Sequence, residues 1–278
     1  MTSLFRCPLC AQALERGEHA CICPAGHSFD RAREGYVHLL PANRKHSQNP
    51  GDDKQMVAAR SEFLRRGYYA PFRDALAQLA VELTQGCPSP ILLDSGCGEG
   101  YYTAGLWDAL TRAGRSVRMG GIDISKFALR RAAKALPEGE FAVASAYALP
   151  VADGSVRLLY NIFSPLGLEE FARVVAPGGY FVYAVPSARH LWQMKEILYE
   201  TPYENPVKQE DYTGFVWQRA VPLRYTVTLE RSEDIMALFA MTPYAWKTPR
   251  EGVERLRGYD RLETEIGFDI HVYRREDK

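Results

Sequence analysis

The 278-residue sequence predicts an α/β fold preceded by a small metal-binding module. From about Asp52 onward, short apolar strands alternate with amphipathic helices, which is typical of a parallel sheet covered by helices on both faces. One strand leads through a glycine-rich loop into a helix, the context in which such loops wrap cofactors. Residues 1–35, by contrast, are rich in Cys, Pro, Gly and His and too short to bury a core unaided.

The chain divides into three predicted regions: a metal-binding module at 1–35, a connector at 36–54 and an α/β domain at 55–278. Gly67 separates the first two helices of the domain, and Pro71 starts the second. Helices are predicted at 54–66, 71–85, 101–112, 126–135, 168–175 and 231–240. Strands are predicted at 91–94, 117–123, 141–144, 158–163, 180–185, 221–229 and 266–274.

The composition is that of an average globular protein, with 46% hydrophobic and 24% charged residues. No apolar run is long enough to span a membrane, and residues 1–10 lack the apolar core of a signal peptide. We therefore expect a cytoplasmic protein with no membrane partner. In that compartment, the six cysteines are expected to bind metal or to be buried as thiols.

The N-terminal module carries four metal-ligand side chains at zinc-ribbon spacing. Two pairs form the pattern C-x2-C-x12-C-x3-H, and an intervening hairpin would bring them together. The predicted Zn2+ ligands are Cys7, Cys10, Cys23 and His27. Cys21 is the alternative to Cys23, which is preferred because a proline follows it, as one follows Cys7. Four protein ligands leave no open position, so the zinc is predicted to be structural and to supply folding energy.

The strongest catalytic-domain signal is the loop DSGCGEG at residues 94–100, between a predicted strand and a predicted helix. Its glycines alternate, unlike the G-x-G-x-x-G of a dinucleotide-binding loop. Its acids would repel a pyrophosphate but suit the cationic sulfonium and ammonium groups of S-adenosylmethionine. The predicted cofactor-binding residues of the loop are Asp94, Gly96, Gly98, Glu99 and Gly100. Cys97 is interpreted as a packing residue.

Further cofactor contacts are predicted where the next two strands end. Asp123 closes the second strand, where a carboxylate can accept hydrogen bonds from both ribose hydroxyls. Ser145 and Ala146 follow the third strand, where an adenine ring is flanked. Over residues 60–200 these features resemble the class I S-adenosylmethionine-dependent methyltransferase fold, which is Rossmann-like. A nucleotide-binding domain with other chemistry is the alternative.

Several motifs then recur in a specific order along the whole chain. After the zinc pattern come GYVHLLP at 35–41, PGD at 50–52, the glycine loop, PSARHL at 186–191 and MTPYAW at 241–246. In this order they closely resemble the family of 23S rRNA methyltransferases that modify N1 of guanine, the RlmA/TlrB group. The resemblance runs from residue 5 to about residue 273.

The resemblance implies zinc ligands at Cys7, Cys10, Cys23 and His27, and cofactor contacts at Tyr69, Gly98, Glu99 and His190. It also implies a target guanine in a 23S rRNA hairpin near the peptide exit tunnel, and a homodimer. Two subgroups methylate neighbouring guanines there, and one is linked to macrolide resistance. The sequence does not separate the two subgroups.

The chain departs from this family after the fourth strand, where it reads NIFSP at 161–165 in place of the Ile-Tyr-Ala-Pro segment of the Gram-negative type. This segment should face the incoming base, so the choice of nucleotide stays open. The predicted catalytic residues are Asp52, to remove the N1 proton, and Asn161, to bind the guanine edge together with Ser164. Phe163 or Tyr160 would stack on the base. Alternatively, Asp52 caps the following helix.

Basic residues in and after the zinc module would hold RNA phosphates, although the module could instead be purely stabilising. They are Arg6, Arg16, Arg31, Arg33, Arg44 and Lys45. Three other functions are alternatives: methyl transfer to a small molecule or protein, a non-enzymatic RNA-binding assembly factor, and a zinc-dependent hydrolase. The intact glycine loop argues against the second of these, and the closed metal site argues against the third.

Overall fold

The computed structural model describes residues 2–41, 51–206 and 211–277, which form a small four-stranded sheet and a large eight-stranded sheet. The strands are β1 (Thr2–Arg6), β2 (Ala13–Arg16), β3 (Ala20–Ile22), β4 (Ser28–Asp30), β5 (Val37–His38), β6 (Ile91–Ser95), β7 (Arg118–Asp123), β8 (Glu140–Val143), β9 (Val156–Ile162), β10 (Val175–Pro186), β11 (Phe215–Leu229) and β12 (Leu262–Arg275). The helices are α1 (Lys54–Arg65), α2 (Ala70–Leu83), α3 (Tyr101–Arg112), α4 (Lys126–Ala135), α5 (Leu168–Val174), α6 (Trp192–Leu198), α7 (Ser232–Ala240), α8 (Tyr244–Lys247) and α9 (Arg250–Arg257).

The large sheet has the order β11-β12-β10-β9-β6-β7-β8-β5. Its pairs from β10 through β5 are parallel, which confirms the predicted parallel core, while β12 and β11 add an antiparallel edge. Every predicted strand and helix is present, with shifted ends. Within β10, the pairing with β9 shifts register between Val175 and Tyr180.

β5 lies in the predicted connector, of which residues 42–50 are outside the described residues. It pairs in parallel with β8 and becomes the outermost strand of the large sheet. A two-residue strand gives no periodicity to detect, which is why the sequence did not predict it. The connector therefore begins as part of the sheet.

The two faces of the large sheet are covered differently. Successive strand residues alternate between two apolar clusters, as with Leu92 and Leu93 of β6. One cluster packs beneath helices that include α1 to α4, α6 and α7. The other combines α5 with side chains of the zinc module, among them Leu4, Phe5 and Leu14. The zinc module thus covers part of a face for which the sequence predicted only helices.

The module takes this position because the crossover from β8 to β9, residues 144–155, contains no helix. The N–H of Arg6 donates to the carbonyl of Pro150 at 2.7 Å, and Phe5 forms an antiparallel bridge with Val151. Leu4 packs so closely that a Cβ on Gly120 would lie 3.1 Å from its Cδ2. Burial of each such apolar side chain contributes about 1.5–3 kcal/mol. In the described part of the chain, no helix has the length and apolar character to cross a membrane.

Candidate zinc and cofactor sites

The N-terminal module brings the four predicted zinc ligands together. The ligand atoms of Cys7, Cys10, Cys23 and His27 all lie within 4.8 Å of one another. The His27 Nδ1 atom is 3.5 Å from the Cys7 Sγ and 3.4 Å from the Cys23 Sγ, and the Cys10 and Cys23 sulfurs are 3.7 Å apart. Tetrahedral zinc, with bonds of about 2.3 Å to sulfur and about 2.0–2.1 Å to nitrogen, requires ligand separations of about 3.5–3.8 Å. The group therefore fits a four-coordinate zinc ion.

The surroundings of the sulfurs favour Cys23 over Cys21 as the ligand. Cys21 is buried in β3, outside the cluster, and burial raises the pKa of its thiol. Burial also acts to raise the pKa of Cys23, but hydrogen bonds from the His27 backbone and the Cys10 side chain outweigh it and lower the pKa to about 7. The thiolate is the form that binds zinc, so this position is prepared for a metal.

A cavity of about 870 Å3 opens where β6, β7, β8 and β9 end, large enough for a nucleoside cofactor. Eight of the ten predicted cofactor residues line it: Tyr69, Gly96, Gly98, Glu99, Asp123, Ser145, Ala146 and His190. The structure thus gathers residues from both ends of the α/β domain around one space. Carboxylates beside a glycine loop match the ribose hydroxyls and the cationic groups of S-adenosylmethionine.

The glycine loop is shaped by close contacts. Gly96 has a φ of +86°, and a Cβ there would lie 2.3 Å from the Cβ of Ser164. Asp123 fixes the loop from the next strand, since its Oδ2 accepts from the Gly98 N–H at 2.9 Å and its Oδ1 from the Ser125 N–H at 2.7 Å. Burial raises the pKa of Asp123. The carboxylate still faces the cavity, where remaining lone pairs can accept from a ribose.

Asp94 and Gly100 do not line the cavity, and their contact with the cofactor stays a prediction. Asp94 is buried behind the loop, where its Oδ2 accepts a 2.6 Å hydrogen bond from the Thr103 hydroxyl of α3. Burial raises the pKa of Asp94 to about 7. Gly100 packs against α4, and a Cβ there would lie 2.9 Å from the Cα of Ala132. Both residues shape the loop from behind.

His190 and Tyr69 meet at the cavity around Phe268. The His190 ring is 4.7 Å from the Phe268 ring, and its Nδ1 accepts from the Gly267 N–H at 3.2 Å. Burial, with Lys195 nearby, lowers the pKa of His190 to about 3. The imidazole is therefore neutral, and the proton on Nε2 is available as a donor. The Tyr69 ring meets Phe268 edge-on at 5.4 Å.

Comparison with known proteins agrees with this architecture. Residues 5–48 match the family model of the RlmA N-terminal zinc ribbon, and residues 92–179 match a methyltransferase domain. A Bacillus subtilis (strain 168) relative, YxjB, provisionally named a 23S rRNA (guanine-N(1)-)-methyltransferase, is 33% identical over 97% of this chain and 96% of its own. A Micromonospora griseorubida relative with the same provisional name is 36% identical over 88% and 87%. The 23S rRNA (guanine(748)-N(1))-methyltransferase of Streptomyces fradiae is 35% identical over 70% and 67%.

The chain belongs to the 23S rRNA (guanine-N1)-methyltransferase family. Its fold is that of a class I S-adenosylmethionine-dependent methyltransferase with an N-terminal zinc ribbon. Both groups predicted from the sequence, S-adenosylmethionine and structural zinc, fit the residues present.

The segment at 161–165 differs from the expectation for a family base pocket. Asn161 is fully buried and does not line the cavity, because its Nδ2 donates to the Ser164 Oγ at 2.7 Å and to the Pro165 carbonyl at 3.0 Å. Asn161 therefore shapes the loop from behind, and its contact with guanine stays a prediction. Tyr160 is also buried, with its hydroxyl bonded to the Leu76 carbonyl at 3.0 Å. Phe163 does line the cavity and is 48% exposed.

Asp52 lines the cavity. The alternative prediction, that Asp52 caps α1, is wrong. The cap of α1 is Asp53, whose side chain accepts from the N–H groups of Gln55 and Met56. The carbonyl of Asp52 accepts from the Ser125 hydroxyl at 2.7 Å, which ties this end of the connector to β7 and α4. The Asp52 carboxylate forms an ion pair with Arg60.

Arg60 is the site residue that the sequence analysis missed. It projects from α1 into the cavity and pairs with Glu99 at 2.8 Å as well as with Asp52. The sequence did contain a signal, since Met56, Arg60 and Leu64 recur at helical spacing and all line the cavity. An arginine within an otherwise apolar helix stripe marks a position with a polar partner.

Proposed function

We propose that this protein transfers the methyl group of S-adenosylmethionine to N1 of a guanine in 23S rRNA. The proposal rests on one observation: the same chain contains a cavity lined by the predicted cofactor residues and a zinc ribbon packed beside it. The full-length match to relatives named for this reaction supports it. S-adenosylmethionine, when bound, supplies an electrophilic methyl group.

The chain's own residues are proposed to bind and orient the reactants. Asp123 accepts from the ribose hydroxyls, and Ser145 with Ala146 flanks the adenine. His190 donates from Nε2, because its Nδ1 is already occupied. Holding both reactants in line supplies most of the rate enhancement in such a transfer.

Guanine N1 lies on the Watson–Crick edge, so the base must be unpaired or flipped before it reacts. Phe163 is proposed to stack on it, since the exposed ring already faces the cavity beside Phe72 and Phe268. The methyl group replaces the N1 proton, which must pass to a base. Asp52 is the proposed acceptor, because its carboxylate lines the same cavity.

A groove of about 610 Å3 between the zinc module and the β8–β9 crossover is the proposed path of the RNA. It shares Leu40, Ser145, Tyr147 and Ala148 with the cofactor cavity. Arg6 lines it, whereas Arg31 bonds its own module's backbone at Gly35 and Gly17. Arg16 and Arg33 remain proposed phosphate contacts, and Arg44 and Lys45 lie outside the described residues. We also propose that the chain is organised as a zinc module at 1–35, a connector at 36–54 and a methyltransferase domain at 55–278.

The finer assignments rest on the family resemblance. We propose a target in the hairpin near the peptide exit tunnel, action as a homodimer, and a cytoplasmic location alongside ribosomal RNA. The Streptomyces fradiae relative is named for guanine 748. Either that guanine or its neighbour is proposed for this chain, and a link to macrolide resistance is proposed only if the target is that of the resistance-linked subgroup.

The proposal is tested by nucleoside mass spectrometry of large-subunit RNA incubated with enzyme and S-adenosylmethionine. The expected result is an enzyme-dependent gain of 1-methylguanosine that approaches one per RNA. Asp123→Ala serves as the inactive control, because it keeps the zinc module and removes the proposed ribose contact together with the bonds that fix the glycine loop. A different methylated nucleoside, or none with cofactor bound, would overturn the assignment and favour a small-molecule or protein acceptor.

A further inference from the structure

Arg60 stands out because it is a cation placed among carboxylates in the cofactor cavity. Of the described residues that line the cavity, Asp52, Glu99 and Asp123 are acidic, and Arg60 is the sole lysine or arginine. Its side chain is 24% exposed, against 8% for that of Glu99. A partly buried cation of this kind normally has a specific anionic partner.

The guanidinium lies directly over the glycine loop. A Cβ on Gly98 would be 3.2 Å from its Nη2, so the absence of a side chain at 98 creates the space that Arg60 occupies. The Nε and Nη2 atoms both contact the Glu99 Oε2 at 2.8 Å, and Nη1 contacts Asp52. Two carboxylates from different loops, one before α1 and one between β6 and α3, thus fix the orientation of Arg60.

A guanidinium has five N–H donors, of which the hydrogen bonds use the one on Nε and one on Nη1, while the Nη2 contact with Glu99 is an ion pair. At least one donor therefore remains on Nη1 and one on Nη2. Two such donors match the two oxygens of a carboxylate, the geometry in which arginine recognises anions most strongly.

The cofactor presents one group that this cavity would otherwise repel. S-adenosylmethionine carries a sulfonium, an ammonium and an α-carboxylate. A carboxylate such as that of Glu99 suits the cations, but the α-carboxylate needs a positive partner. The proposed ribose and adenine contacts are Asp123, which ends β7, and Ser145, which follows β8. We therefore infer that the amino-acid end lies over the glycine loop, where Glu99 and Arg60 line the cavity.

We propose that Arg60 is a cofactor-binding residue that holds the α-carboxylate of S-adenosylmethionine and at the same time orients Glu99 toward the ammonium group. This inference deepens the proposed function and rests on its cofactor assignment. It gives the cation beside the loop a role: Arg60 selects the intact amino-acid cofactor over nucleosides that lack the carboxylate.

The test compares two ligands that differ only in that carboxylate, S-adenosylhomocysteine and its decarboxylated form, by calorimetric titration. The wild-type chain is expected to bind S-adenosylhomocysteine at least about tenfold more tightly, as a charge-assisted bidentate contact implies. In Arg60→Met the preference is expected to fall to about one, because only the carboxylate contact is lost selectively. Arg65→Met is the matched control, since Arg65 lies on the same helix, is 75% exposed and pairs with Glu62.

An unchanged preference in Arg60→Met, or no preference in the wild type, would overturn the inference. Equal weakening of both ligands would also overturn it, because Arg60 would then act only through the loop. Arg60→Lys, which keeps the charge but not the fork, should show an intermediate preference and covers the case in which the methionine variant does not fold. Failure of the wild type to bind either ligand would sink the cofactor assignment and the inference together. A preference lost in Arg60→Met without any RNA methylation would support the inference and overturn the proposed function.

Discussion

The zinc cluster and the cofactor cavity are assembled in opposite ways. All four zinc ligands lie between Cys7 and His27, on two short knuckles that a single hairpin brings together. The cavity, in contrast, takes its walls from Leu40 to Phe268, across most of the α/β domain. The comparison shows that a site held by local spacing can be read from a sequence, whereas a site at the ends of several strands can be read only in part.

Removal of zinc is expected to have the largest effect, because the metal replaces the core that the module lacks. Cys10→Ser should lose the bound zinc and expose the sheet face beneath the module. Since structural zinc contributes on the order of 10 kcal/mol in small modules, we expect a fall in melting temperature of more than about 10 °C. Metal content and thermal unfolding measure this. Cys21→Ser is the control and should keep a full equivalent of zinc; its loss there would show that the ligand assignment is wrong.

A change in the glycine loop should affect the cavity and leave the zinc module intact. Gly96→Ala places a Cβ where it collides with Ser164, in addition to straining a positive φ. We expect at least about 100-fold weaker binding of S-adenosylhomocysteine, as for a lost preorganised site. Gly86→Ala controls for strain alone, since Gly86 has a φ of +77° and open space around its Cβ position. Equal binding by both variants would contradict the close packing of the loop.

The buried carboxyl of Asp94 predicts a pH dependence confined to the α/β domain. Its pKa rises from 3.8 to about 7 on folding because of burial, so the folded protein binds more protons between about pH 4 and 7. The contribution of the Asp94 carboxyl to the free energy of unfolding therefore falls as the pH rises through that range. Relative to wild type, Asp94→Asn should gain about 2–3 kcal/mol in the free energy of unfolding between pH 5 and 8. Denaturant titrations of the ligand-free protein at both pH values measure it, and a pH-independent difference would contradict the assignment.

Substitution of Phe163 should have the smallest effect, limited to the RNA. Phe163→Leu keeps an apolar side chain but removes the stacking surface, worth about 1–3 kcal/mol per base. The expected result is a rise in KM for RNA of about 5- to 100-fold, with the affinity for S-adenosylhomocysteine within about twofold of wild type. A loss of affinity for S-adenosylhomocysteine instead would indicate that Phe163 contacts the cofactor and not the RNA base.

The sequence predicted the elements whose signals are local. The zinc ligands, the order of strands and helices, and the loop residues Gly96, Gly98 and Glu99 all follow from spacing or periodicity. What it missed depends on tertiary packing. Asn161 and Asp94 were predicted to contact ligands because of their chemistry, yet each side chain points into the structure, where it bonds its own loop or helix.

Packing between regions was equally hidden. The zinc module covers the sheet where the β8–β9 crossover lacks a helix, a relation carried by Leu4, Phe5 and Val151, which are distant in sequence. Arg60 lies 39 residues before its partner Glu99, so no short motif links them. The sequence signal for Arg60 was its position within an apolar helix stripe.

We propose above all that the zinc ribbon and the cavity together direct one methyl group to one guanine N1. The most direct test is reverse transcription across 23S rRNA treated with wild-type enzyme and S-adenosylmethionine, beside untreated RNA and RNA treated with Asp123→Ala. A methyl on N1 blocks base pairing, so we predict a single enzyme-dependent stop, one nucleotide before a guanine of the tunnel-side hairpin. Stops at many sites, or none while the cofactor is bound, would contradict the claim.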